Sequence, residues 1–290
     1  MRTTNSGREI QKMKRFAIFI LTNGRPNHQY TLEFLRKSFK GDIFLICDNE
    51  DKTLKEYQKN YGEQVIVFDK NEWVSKSDAM DNFQSKNSVL YARNAVFKIA
   101  KDMGYKYFVM VDDDVTGLSF RYEKNGKLVG KPVKDFNKVS SVILETMDNT
   151  GTDFFSFGMD KIYIGGLSNG QYQKKIIDKV YCFIFCRTEQ QHFYKGIMNE
   201  DEINNLLSMS VGKLAKSLTI IQIQYKPIGR DNFGGNAETY NENGYYSYVR
   251  NFYPIIAFPV LQLKQGKNGF TFGCDRDYYT VQVLPESLKK

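Results

Sequence analysis

Hydrophobic positions in this chain fall into short unbroken runs, separated by stretches where they recur every three or four residues. The runs at 16–21, 43–47 and 64–68 predict buried strands. Between the first two, Leu32, Phe34, Leu35 and Phe39 recur at helical spacing over 30–39, and a second helix is predicted near 52–60. Strand, helix, strand at this spacing predicts a parallel sheet with right-handed crossovers. Residues 70–88 read as an irregular polar loop. Residues 89–103 then carry Leu90, Ala92, Val96, Phe97, Ala100 and Met103 along one helical face, stopped by Gly104. A fourth strand, Tyr107-Phe108-Val109-Met110-Val111, stops on Asp112-Asp113-Asp114. The second and third strands also end on acids, Asp48 and Asp69.

Beyond the acids the pattern changes. Asn125-Gly126 marks a hairpin over 120–129. A helix is predicted at 135–148, with strands at 153–158, 179–187 and 218–226. Asn199-Glu200-Asp201-Glu202 reads as a capping box opening a helix that carries Ile203, Leu206 and Leu207. Residues 229–250 are rich in Gly, Asn and Tyr and read as a long loop of the kind that is usually functional or disordered. Residues 1–13 are polar and read as a flexible tail.

Composition narrows the class. Of 290 residues, 41% are hydrophobic and 26% charged, which excludes a disordered or fibrous chain. The net charge of +8 favours a polyanionic partner, although a solubilising excess of lysine gives the same sum. Four cysteines and two histidines at scattered positions argue against zinc. Buried reduced thiols are the better reading, and they point to the cytoplasm. The run at 16–21 is too short for a signal core or a membrane span, so no membrane association is expected.

The acid triplet carries the chemistry. Open α/β sheets bind ligands at the carboxyl ends of their strands. If the strand stays extended, Asp112 and Asp114 share one face and Asp113 takes the other. Two carboxylates on one face suit a hard divalent cation, Mn2+ or Mg2+, bridging to phosphate oxygens. A plain acidic turn explains the same residues. Arg93 sits on an otherwise apolar helix and needs a partner, either a phosphate oxygen or an acid.

Taken together, Thr22-Asn23-Gly24-Arg25-Pro26, Tyr91-Ala92-Arg93-Asn94, the Asp triplet, Asn199-Glu200-Asp201 and Gly234-Gly235-Asn236 give the chain its resemblance. It resembles GT-A-fold glycosyltransferases, and within them the TET-associated group that includes phage enzymes acting on modified DNA bases. The resemblance covers about 15–275 and implies one domain, 14–290, around a mostly parallel, Rossmann-related sheet with flanking helices. Residues 14–118 would bind the nucleotide-sugar and 119–290 the acceptor. Asp112 and Asp114 would hold the metal. Thr22, Asn23, Gly24, Arg25, Asp48, Arg93, Asp113, Gly234, Gly235 and Asn236 would line a donor site for a UDP-sugar. Asp201 would be the base and Glu200 an acceptor or sugar contact. The acceptor implied is DNA carrying a 5-hydroxymethylated pyrimidine. A surface glycan or a protein is the alternative acceptor. A non-catalytic nucleic-acid-binding protein and a nucleotidyltransferase are the readings from other classes.

Overall fold

The computed structural model describes residues 14–80, 86–189, 193–226, 253–258, 262–266 and 269–273. Strands β1 (Lys14–Leu21), β2 (Asp42–Asp48), β3 (Val65–Phe68) and β4 (Tyr105–Asp112) lie in the order β3-β2-β1-β4, all parallel. Helices α1 (Tyr30–Ser38), α2 (Leu54–Tyr61) and α4 (Leu90–Asp102) are the crossovers. Parallel neighbours need such crossovers, and the helical patterns between the apolar runs supply them. The carboxyl ends of all four strands therefore line one edge.

Past β4 the sheet is mixed, not mostly parallel as expected. Its order continues through β9 (Ile184–Arg187), β7 (Phe154–Gly158), β10 (Ala215–Tyr225), β5 (Val115–Lys124) and β6 (Lys127–Pro132). Only β10 with β7 is parallel there; β4–β9, β9–β7, β10–β5 and β5–β6 are antiparallel. The Asn125-Gly126 hairpin fixes the last of these, with both turn residues at positive φ. The short strand β8 (Ile176–Ile177) pairs with β10, giving this sheet ten strands among the described residues. A separate hairpin, β11 (Gln262–Gly266) and β12 (Gly269–Gly273), follows.

Strand alternation sorts the core into two layers. Ala17, Phe19 and Leu21 of β1 face α4, whereas Ile18 and Ile20 face α1 and α5 (Phe136–Thr150). Phe108 is fully buried between Phe97 of α4, at 5.0 Å, and Phe19, at 5.8 Å, both edge-on. These contacts hold α4 beneath the strand that carries the acids.

Two local expectations fail. Residues 70–88 are not all loop, because α3 (Lys70–Lys76) occupies the start. The Asp69 carboxylate accepts from the amides of Asn71 and Glu72, and Trp73 is buried in the α4 layer. One cap and one buried tryptophan suffice for so short a helix, whose mostly polar sequence hides it. The strand expected at 179–187 is confined to Ile184–Arg187. Phe183 has φ +54, which breaks extension and turns its ring against Phe136 at 5.3 Å. The loop at 229–250 and the tail at 1–13 lie outside the described residues.

Phe108→Ala should lower the unfolding free energy by about 3–5 kcal/mol in urea denaturation, the usual cost of truncating a buried aromatic. A loss below about 1 kcal/mol would show that the layer between β4 and α4 is not close-packed.

Candidate active site

β4 ends at Asp112, and Asp113 and Asp114 form a tight turn into β5. The turn, not strand alternation, decides where the three carboxylates go, so the expected sharing of a face by Asp112 and Asp114 loses its basis. Thr31, at the start of α1, fastens the turn. Its hydroxyl donates to the Asp112 carbonyl at 2.6 Å and accepts from the Val115 amide at 2.9 Å. Its amide donates to the Asp113 carbonyl at 3.2 Å.

Asp113 is the buried member, 5% exposed. It accepts from the Thr22 hydroxyl at 2.7 Å and from Arg25 Nη1 at 2.9 Å. Burial pushes its carboxyl up, and Arg25 and Thr22 pull against that. Asp112 is more open, with 35% of its side chain exposed, and lies 3.4 Å from Arg93 Nη2. Asp114 has no ion pair among the described residues. Burial, and then the charges of Asp112 and Asp113, push its carboxyl up to about 7.

The loop after β1 is held from behind. The Tyr57 hydroxyl lies 2.6 Å from Thr22 Oγ1 and accepts from the Arg25 amide at 2.9 Å. Gln29 donates to Thr22 Oγ1 at 2.8 Å. Gly24, at φ +72, donates its amide to Asp51 at 3.0 Å. Asn23 donates to Asp48 at 3.0 Å, and Lys70 reaches the same Asp48 oxygen at 3.3 Å. Asp48 thus spends its carboxylate on protein partners, and Thr22 is a buried strut.

Arg93 is the bridge between the halves of the chain. It is 4% exposed, and its Nε lies 3.2 Å from Glu200 while Nη2 faces Asp112. Burial opposes its charge, but Asp112 and Glu200 outweigh that and hold it protonated. Its third nitrogen, Nη1, is buried with no hydrogen-bond partner among the described residues. Burial pushes the Glu200 carboxyl up, against the pull of Arg93. Glu200 and Asp201 open α7 (Glu200–Ser210), but not through the expected capping box. Asn199 is left-handed, φ +53, and its side chain makes no cap bond; the Asp201 carboxylate instead accepts from the Glu202 amide at 2.8 Å. Because Arg93 pairs with Glu200 and with Asp112 at once, the start of α7 and the acid triplet meet at this guanidinium.

The structure therefore gathers Thr22, Asn23, Gly24, Arg25, Asp48, Arg93, Asp112, Asp113, Asp114, Glu200 and Asp201 along one edge. Gly234, Gly235 and Asn236 lie outside the described residues. Tyr57, Asp51 and Lys70 were missed, since each works through a partner distant in sequence, and Gln29 was missed because its bond to Thr22 exists only in the folded loop. Two more groups flank the triplet. The Lys226 amide donates to the Asp114 carbonyl at 3.0 Å, and its side chain bonds the Tyr30 hydroxyl and lies 4.3 Å from the ring centre. The rings of Tyr30 and His28 stack at 6.1 Å.

The sequence model of the TET-associated glycosyltransferase family matches residues 16–231. The chain belongs to that family. The match spans the acid edge, the Arg93 helix and the start of α7, and ends before Gly234. No curated protein matches the chain. A glycosyltransferase needs a sugar donor and an acceptor, and the described residues contain no helix long and apolar enough to cross a membrane.

Arg93→Met leaves Glu200 buried without its counter-charge and should cost about 3–5 kcal/mol in urea denaturation. Arg93→Met combined with Glu200→Gln should recover most of that loss; strictly additive losses would show that the pair is not coupled. Asp114 sets a pH dependence. Its native carboxyl binds a proton more tightly than in the unfolded chain, so stability falls as pH rises from the ordinary carboxylate range to about 7. Without divalent cations, Asp114→Asn should lack that fall in a pH series of thermal melts; parallel curves for the two proteins would contradict the crowding of the triplet.

Proposed function

We propose that the chain is a metal-dependent glycosyltransferase moving a sugar from a nucleotide donor, a UDP-sugar, to a hydroxyl on a 5-hydroxymethylated pyrimidine in DNA. The observation that carries the donor half is the uneven compensation of three adjacent carboxylates. Asp113 is neutralised by Arg25 and Asp112 faces Arg93, while Asp114 is left crowded without an ion pair of its own. That fits a divalent cation held by Asp112 and Asp114. Among the described residues no three His, Cys, Asp or Glu side chains form a metal cage. The remaining ligands would therefore come from phosphate oxygens and water, as is usual for magnesium. When bound, such a cation offsets the charge that builds on a departing diphosphate.

The chain's own residues divide the remaining work. Arg25 and Thr22 bond the Asp113 carboxylate and so brace the turn that presents Asp112 and Asp114. Nη1 of Arg93, which has no acceptor among the described residues, lacks the kind of partner a phosphate oxygen provides. Glu200 is committed to Arg93, so its role is to position that guanidinium. Asp201 is the base that takes the proton from the acceptor hydroxyl, and the first turn of α7 favours its negative charge. The DNA acceptor rests on the net charge of +8 and on family membership.

The test is transfer itself. A hydroxymethylcytosine-containing oligonucleotide, a panel of nucleotide-sugars and manganese are incubated with the protein, and the digested nucleosides are weighed by mass spectrometry. One sugar should be gained from a uridine donor, and Asp201→Asn should slow transfer by about 10²-fold or more. Transfer to neutral glycans that is insensitive to salt, with none to DNA, would replace the DNA acceptor by a glycan.

A further inference from the structure

We propose that the open face of the β5–β6 ribbon binds single-stranded nucleic acid, holding its bases on Phe120 and Tyr122 and its phosphates on Lys124, Lys127 and Lys131. The inference rests on the nucleic-acid acceptor above for its purpose, but the surface is argued from the ribbon alone.

Directly paired residues of an antiparallel ribbon share a face, as do alternate residues along each strand. The register pairs Phe120 with Lys131, Tyr122 with Val129 and Lys124 with Lys127. These six residues therefore form one face, holding two aromatics, three lysines and no acid. Phe120 is 38% exposed and Tyr122 43%. The three lysines are exposed as well.

The other face is covered and anchors the ribbon. Arg121 lies there over the Tyr163 ring at 5.2 Å, and Leu128 packs on the small core of Ile162, Tyr163 and Tyr172. Gly130 leaves room for Arg121, since a Cβ there would meet its guanidinium at 2.8 Å. The open face is thus presented by a fixed element.

Its chemistry selects the occupant. Lysines on an edge strand serve to block pairing with another chain, and Lys127 and Lys131 of β6 would do that unaided. Exposed aromatics on the inner strand β5 do not serve that purpose. Aromatic rings stack bases whatever their identity, and the cations between them track the backbone. Phe120 and Tyr122 are two residues apart, about 7 Å along the strand. A duplex keeps its bases stacked away from such rings, so the unpaired strand is the match. β5 starts directly after Asp114, and Phe120 lies about 20 Å along it. A strand held on the ribbon is thereby tethered close to the acids.

The test is fluorescence anisotropy of fluorescein-labelled oligothymidylate with the full chain. Phe120→Ala with Tyr122→Ala should weaken binding about tenfold or more per ring, and Phe120→Tyr with Tyr122→Phe should retain it. Lys124→Gln, Lys127→Gln and Lys131→Gln together should lower the slope of log K against log salt by about 2. No binding by the unsubstituted protein, or unchanged binding by the alanine pair, overturns the proposal. So does displacement by polyglutamate or duplex DNA as efficient as by unlabelled oligothymidylate. Thermal melts of each variant with UDP and manganese separate the two readings. A lost nucleotide shift in every protein with oligothymidylate binding intact refutes the transferase and spares the ribbon; the reverse does the opposite.

Discussion

Three carboxylates in sequence at the end of a mostly buried strand repel one another and lose hydration together. In a medium less polarisable than water that arrangement is costly, and each carboxylate meets it differently. Asp113 goes inward and requires Arg25 and Thr22, which in turn require Tyr57 and Gln29 to hold them. Asp112 stays at the surface and draws Arg93 up from α4, and a buried guanidinium needs a second anion, which is Glu200. Asp114 is left raised toward neutrality. The ends of β1, α1, α4 and α7 meet at this edge because the triplet's charge must be compensated there.

How much of this was legible depends on the range of the interaction. The parallel half was, because β1, β2 and β4 are continuous apolar runs and the intervening periodicity supplies crossovers. Arg93 was legible as a residue needing a partner, since Leu90, Val96 and Phe97 surround it on the same helix. Its partner was not, because Glu200 lies 107 residues away and looked like part of an ordinary helix cap. The same distance effect hid Tyr57, whose role exists only once β1 and β2 are side by side, and Lys70, whose role needs β3 beside β2. The mixed order of the second half was hidden too. Short strands such as Ile184–Arg187 carry no signal of which neighbour they will pair with, and Phe183 adopts its left-handed backbone while its ring packs among the core aromatics.

The two halves divide the work by their construction. Local strand–helix units build the edge that carries the acids, with loops clamped by Asp48 and Asp51. The mixed half contributes single elements to it, the start of α7 and the end of β10, and sends β5 outward as a ribbon. The carboxylates and Arg93 join the two halves at this edge, which makes them the point where donor and acceptor chemistry would meet.

The proposed chemistry requires a cation and a diphosphate to bind together at Asp112 and Asp114. The most direct measurement is calorimetric titration of UDP into the protein with and without manganese, repeated with Asp112→Asn and Asp114→Asn. The account predicts binding that requires the metal and is lost in both variants, with folding intact by circular dichroism. Binding of equal strength without metal, or unchanged in Asp114→Asn, would contradict it.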